Sequence, residues 1–134
     1  MESPELDAPG IAHRHLLIVA HGSRRQASND EVRFLGERVR ELREPGIDQV
    51  EVAFLELAEP SIPQGLAQCV AAGAREIIVF PYFLAAGTHV ANDIPEAIKL
   101  FRAQHPQIKV RLANHLGASR ALPMTILDVA SQAE

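Results

Sequence analysis

The chain predicts an α/β domain of three layers, a four-stranded parallel sheet with helices on both faces. Short apolar runs of strand length alternate four times with segments whose apolar residues recur at helical spacing. The 134 residues suit a single domain. A content of 47% hydrophobic against 22% charged residues belongs to a globular chain able to bury a core.

His15 to Ala20 is a short apolar run that stops at His21-Gly22, as a buried parallel strand would. Beyond a polar loop, Val32, Leu35, Val39 and Leu42 form a helical stripe, with Glu37, Arg38, Arg40 and Glu41 opposite. Pro45-Gly46 ends that helix, and Val50 to Leu55 supplies the second strand. Ser61 and Gln64 have capping-box spacing, with Pro63 in the first turn of a helix whose stripe is Ile62, Leu66, Cys69 and Val70. Gly73 stops it. Glu76 to Phe80 is the third strand, closed by Pro81. Asp93 and Glu96 repeat the capping-box spacing ahead of Ile94, Ala97, Ile98 and Phe101. Lys109 to Leu112 is a fourth strand, polar enough for an edge. Ser119 is placed to cap a last helix carrying Leu122, Ile126 and Val129. Residues 1–13 are expected to be a disordered arm and 14–134 the domain.

Composition narrows the function classes. Thirteen basic against seventeen acidic residues give a net charge of −4, so no global nucleic-acid footprint exists and no nucleic-acid partner is expected. A single cysteine excludes an internal disulfide framework and any Cys-rich zinc or iron–sulfur site. Met1 to Arg14 holds three acids and two prolines and lacks the apolar region of a signal peptide. No apolar run has the length of a membrane span. A cytoplasmic protein with no membrane partner is the expectation. Walker, dinucleotide and nucleophile-elbow glycine motifs are all absent.

In a parallel sheet the ligand side is the carboxyl edge of the strands. His21 to Arg25, Glu56 to Ser61, Leu84 to Asp93 and Asn114 to Gly117 all fall there. His21 and His89 on that edge suit a pair of metal ligands, or a base beside a ligand, because neutral imidazole binds first-row divalent metals and titrates near neutrality. The plainer reading has each histidine hydrogen-bonding its own loop. Glu56 and Glu59 flank the second loop, as a third ligand or proton acceptor or as ordinary solvated carboxylates. Arg24, Arg25 and Arg33 supply the local positive charge an anionic ligand needs, or simply a solvated basic turn. His13, His15 and His105 belong to the opposite edge. His115 is on the ligand side. Cys69 reads as core packing.

Three blocks carry a family likeness: Val19-Ala-His21-Gly-Ser-Arg24, Ala53-Phe-Leu-Glu-Leu-Ala-Glu-Pro60-Ser-Ile, and Phe80-Pro-Tyr-Phe-Leu84-Ala-Ala-Gly-Thr-His89-Val-Ala-Asn-Asp93-Ile-Pro95. Together, from about Leu16 to Leu122, they resemble the small sirohydrochlorin chelatases, the class II short-form CbiX and SirB-like enzymes. The third block is the most specific. The resemblance implies a chelatase-like, flavodoxin-like fold. It also implies ATP-independent insertion of Co²⁺ or Fe²⁺, or Ni²⁺ in some relatives, into a carboxylate-rich sirohydrochlorin-type tetrapyrrole for cobalamin or sirohaem synthesis.

By motif, His21 and His89 would bind metal and accept the displaced pyrrole protons, and Glu56 matches an acidic position that assists in many members. Leu84, Ala85, Ala86, Gly87, Thr88 and His89 would line the tetrapyrrole site, with Glu56 beside them and Arg24 and Arg25 meeting its carboxylates. The metal is substrate, and no tightly bound cofactor is expected. No His-rich tail or Cys cluster is present, so stored metal is not expected either. Longer members carry two such domains in one chain, so a single domain implies a twofold homodimer. Two rivals stand beside this reading: a non-catalytic tetrapyrrole- or metal-binding protein of the same fold, and a histidine-nucleophile phosphotransferase, which lacks an arginine immediately before His21.

Overall fold

The computed structural model describes residues 13–42 and 44–134. Strands β1 (Arg14–Ala20), β2 (Gln49–Phe54), β3 (Glu76–Pro81) and β4 (Lys109–Leu112) form one parallel sheet in the order β2-β1-β3-β4. Helices α1 (Gln26–Leu42), α2 (Ile62–Ala71), α3 (Ile94–Gln104) and α4 (Leu122–Ser131) alternate with them. Of the expected arm, residues 1–13, all but His13 lie outside the described residues. Parallel crossovers are right-handed, so reversing direction after β2 sends α1 to one face and α2 and α3 to the other.

The α2/α3 face holds the dense core. Leu17 and Val19 of β1, Ile77 and Val79 of β3 and Val110 of β4 meet Leu66 and Cys69 of α2 and Ile94, Ile98 and Phe101 of α3. Cys69 is fully buried there, and burial, helped by the negative charge of Glu51, pushes its thiol up to about 12. It packs as a small apolar side chain.

The local signals for α2 hold in full. Ser61 Oγ accepts from Gln64 N at 3.2 Å and Ser61 N donates to Gln64 Oε1 at 2.8 Å, the two bonds of a capping box. At its other end Ala74 N reaches Cys69 O and Gly73 N reaches Val70 O, each at 3.0 Å, with Gly73 at φ +98°. That is the left-handed stop a glycine permits.

Two expectations fail. Asp93 does not cap α3: its backbone is helical and its side chain makes no capping bond. The cause is a π-helical turn, His89–Asp93, that runs directly into α3, so position 93 already lies inside a helix. Nor does Ser119 cap α4, whose N-cap position is Ala121 with no side-chain capping bond, and no residue of α4 is buried. Leu42 is likewise exposed, and Leu35 and Val39 of α1 are only half-buried. The face that α1 shares with the sheet is incompletely covered, although Gly36 lets α1 approach Val52 closely.

At the amino edge, Glu76 joins the sheet ends electrostatically. Arg14 Nε lies 3.1 Å from its Oε1, and Arg111 donates to Oε2 at 3.1 Å. Partial burial acts to raise the Glu76 carboxyl, but the bonds and charges of Arg111 and Arg14 outweigh it and hold the group below its ordinary range. A depressed folded-state value contributes stability above the unfolded value, and the contribution disappears as pH falls through the folded one. Glu76→Gln should therefore cost about 0.5–1 kcal/mol at neutral pH, typical of a partly exposed pair. In denaturant titrations its gap from the parent should close in acid.

Candidate functional site

Parallel pairing places the carboxyl ends of the strands at one edge, and β1 and β2 remain zipped past their last residues. Leu55 N donates to Ala20 O at 2.9 Å, and Glu56 N donates to His21 O at 3.1 Å. That continuation brings the side chains together: His21 Nε2 is 2.8 Å from Glu56 Oε2, with the two side chains 50% and 54% exposed. Gly22, at φ +94°, makes the approach possible, because a Cβ there would run into the Glu56 carbonyl. Leu57 stands at φ +66° directly after Glu56, a conformation that costs a residue with a Cβ about 1–2 kcal/mol. Such strain is tolerated where the surroundings dictate the turn.

The loop leaving His21 is held by a residue that sequence reasoning passed over. Asn29 is 2% exposed and holds both backbone polar groups of one residue, Ser23. Its Oδ1 accepts from Ser23 N at 2.9 Å while its Nδ2 donates to Ser23 O at 2.8 Å. Ser23 Oγ accepts from Arg25 N at 2.9 Å. The signal was present in the periodicity: stepping back one turn from Val32 along the α1 stripe lands on position 29, a polar residue facing inward.

Arg24 and Arg25 are exposed on this loop, but Arg33 is not available in the same way. It donates to Glu59 O at 2.8 Å, pairs with Asp30 at 3.0 Å and lies 5.0 Å over the Phe54 ring. It braces the loop after β2 instead of widening the basic cluster. Glu59 contributes its carbonyl to that brace and does not join the His21–Glu56 pair.

The loop after β3 begins with Tyr82 N donating to Val19 O at 2.8 Å. Phe83 packs on the core and sits 6.4 Å from the His21 ring, centroid to centroid. Leu84, Ala85, Ala86, Gly87 and Thr88 are exposed, and Ala91 N reaches back to Gly87 O at 2.9 Å as the π-helical turn starts. His89 heads that turn on the same edge as His21, and its side chain lies outside the described residues. Gly117 buttresses the loop: its N–H donates to Phe83 O at 3.0 Å, and any Cβ would strike the Leu84 carbonyl. His115 precedes the 3₁₀ turn Leu116–Ala118 beside it, and its carbonyl accepts from Ala118 N at 3.0 Å. Between the starts of α2 and α3 lies a cleft of about 280 Å³, with Glu56, Ser61, Pro63 and Asp93 on its walls. The sequence offered Asp93 as a cap and as the last residue of the ligand-side loop from Leu84.

The remaining histidines lie at the far edge, as expected. His15 is buried, and burial holds its pKa below the ordinary value against the raising influence of Asp48 and Glu51. His105 stacks on Phe101 at 4.4 Å.

Chemically, a carboxylate on one imidazole nitrogen sets the tautomer. With the proton on Nε2, shared with Glu56, the ring's lone pair is on Nδ1. Among the described residues no group of three or more His, Cys, Asp or Glu side chains converges. The His–carboxylate pair faces solvent, in an arrangement suited to exchange and not to a closed cage.

The CbiX family profile matches residues 15–133. The sirohydrochlorin cobaltochelatase of Methanocaldococcus jannaschii is 40% identical over 90 residues, covering 67% of this chain and 62% of that protein. The sirohydrochlorin ferrochelatase of Priestia megaterium is 35% identical over 107 residues, 80% of this chain and 40% of that one. The chain thus spans less than two-thirds of the length of these relatives. Among solved structures, a CbiX protein from Marinobacter aquaeolei VT8 superposes with a TM-score of 0.76 at 31% identity, covering 89% of this chain and 95% of that one. SirB from Bacillus subtilis with Fe³⁺ gives 0.76 at 30% identity, over 86% of this chain and 45% of that one. Sequence and fold agree, and the chain belongs to the CbiX family.

Proposed function

We propose that this chain is a cytoplasmic sirohydrochlorin chelatase, which inserts Co²⁺ or Fe²⁺ into a carboxylate-rich tetrapyrrole without ATP, for cobalamin or sirohaem synthesis. The observation that carries the reading is the His21–Glu56 pair, held at 2.8 Å on the open carboxyl edge with His89 heading a turn on that same edge. The relatives named as cobaltochelatases and ferrochelatases support it.

Insertion exchanges two pyrrolic N–H protons for one divalent ion, so the site needs bases that titrate near neutrality and ligands that let the ion go. His21, oriented by Glu56, accepts a proton or holds the incoming metal through an imidazole nitrogen. His89 supplies the second nitrogen. Glu56 takes up positive charge as it develops on His21. Arg24 and Arg25 pair with the carboxylates of the macrocycle, which offsets a net charge of −4 that would otherwise repel it. The exposed segment from Leu84 to Thr88 lies against the flat face of the ring. Metal is substrate throughout, with no tightly bound cofactor, and the working unit is a homodimer.

The direct test is a visible-spectrum time course of anaerobic sirohydrochlorin with Co²⁺ or Fe²⁺, with and without protein. Acceleration over the spontaneous reaction is expected. Pigment binding without acceleration by either metal would instead make the chain a non-catalytic binder.

Two further outcomes are expected in that assay. His21→Ala should lower turnover by roughly 10²–10⁴-fold, the usual worth of a positioned base, and Glu56→Gln by about 10–100-fold. His105→Ala, on the far edge, should leave it unchanged. Asn29→Ala should cost about 1–3 kcal/mol in chemical denaturation, because both Ser23 backbone groups lose a buried partner. It should also lower turnover by loosening the loop that carries His21.

A further inference from the structure

Among the described residues other than glycine, His13 and Leu57 have a positive φ, at +47° and +66°. Histidine visits this region more readily than most residues, and the His13 carbonyl is occupied there by Arg75 N and Glu76 N. Leu57 has no such account. A leucine gains nothing from the left-handed region, where glycine or asparagine sits at lower cost. Its side chain is 55% exposed, so core packing does not offset the strain.

The backbone at position 57 is dictated from both sides. Ahead of it, Leu55 N and Glu56 N are bonded to the carbonyls of Ala20 and His21. Behind it, Phe54 N donates to Pro60 O at 2.8 Å, Phe54 and Ser61 form an isolated parallel bridge, and Arg33 holds the Glu59 carbonyl. Residues 55–60 must leave the sheet and return to it within a loop closed at its base, and the left-handed turn falls at Leu57. These bonds explain the φ. They do not explain the leucine.

His21 follows β1, the strand between β2 and β3, so the loops after those two strands flank it. Each loop carries an exposed leucine, Leu57 on one and Leu84, 71% exposed, on the other. We propose that Leu57 is a substrate-binding residue whose side chain lies against the flat face of the macrocycle on the β2 side of His21, an inference that rests on the chelatase reading above. A tetrapyrrole of this class is an apolar plate rimmed by carboxylates. Arg24 and Arg25 match only the rim, and the face needs apolar contact. On the loop after β2, Leu57 is the exposed large apolar side chain. Leucine there is unfavourable in the free chain on two counts, strained backbone and uncovered side chain, and the plate removes the second.

The test pairs Leu57→Asn with Leu57→Met. Asparagine tolerates the left-handed turn and removes the apolar contact, whereas methionine keeps the apolar bulk. In thermal denaturation, Leu57→Asn should melt at the parent's temperature or up to about 4 °C above it. In anaerobic fluorescence titrations with metal-free sirohydrochlorin it should bind roughly tenfold more weakly, the worth of covering a half-exposed leucine. Leu57→Met should stay within about twofold of the parent. In turnover, Leu57→Asn should raise KM and leave kcat unchanged, because the side chain touches the plate and not the exchanging atoms. A Leu57→Asn chain that melts well below the parent would overturn the proposal, since the leucine would then serve the packing of its own loop. Unchanged affinity of Leu57→Asn for the pigment would also overturn it, while leaving the chelatase reading in place. A parent chain that does not bind the pigment would overturn that reading and the role of Leu57 with it.

Discussion

Everything at the ligand edge depends on the double pairing of β1. As an inner strand it is hydrogen-bonded to β2 on one side and β3 on the other, with Ala20 opposite Phe54 and Val19 opposite Pro81. Three chains therefore leave the sheet at one level. Because the β1–β2 ladder runs one step past the strands, His21 and Glu56 inherit their proximity from sheet register and not from a flexible loop. A side-chain pair set by register needs little ordering when a substrate arrives, which is the condition for a preorganised acid–base site.

The two faces of the sheet do different work. On the α2/α3 side the core is dense, and α2 is closed by a capping box at one end and a glycine stop at the other, so the scaffold beneath the loops is stiff. The edge itself is wet and half-exposed. That contrast suits the proposed activity, which must take a metal, pass it on and release a large flat product, because a closed cage on a rigid frame would retain the ion. Asn29 and Arg33 reconcile the two requirements. Each fastens loop backbone to a helix, and neither closes the site.

Legibility from sequence varied with the range of the interaction. The ends of α2 could be read from Ser61, Gln64 and Gly73 because capping bonds form within a few residues. The same spacing at Asp93 and Glu96 misled, since a π-helical turn upstream had already begun the helix, and nothing within that window announces it. Arg33 looked like one of three equivalent arginines until the fold put the Glu59 carbonyl and the Phe54 ring within its reach, 26 and 21 residues away in sequence. The α4 stripe was legible as apolar, but a stripe says only that something covers it, not which chain does.

By itself, then, the sequence determined the alternation of strands and helices, the edge at which chemistry gathers, and His21, Glu56 and the block from Leu84 to His89 as candidates there. These follow from periodicity and from short motifs, both local. Tertiary structure alone decided that Glu56 and not Glu59 meets His21, that Asn29 holds the loop, and that one sheet face stays open in the isolated chain. Each of those outcomes depends on strand order and register, which bring distant residues within bonding distance and which no local window of residues encodes.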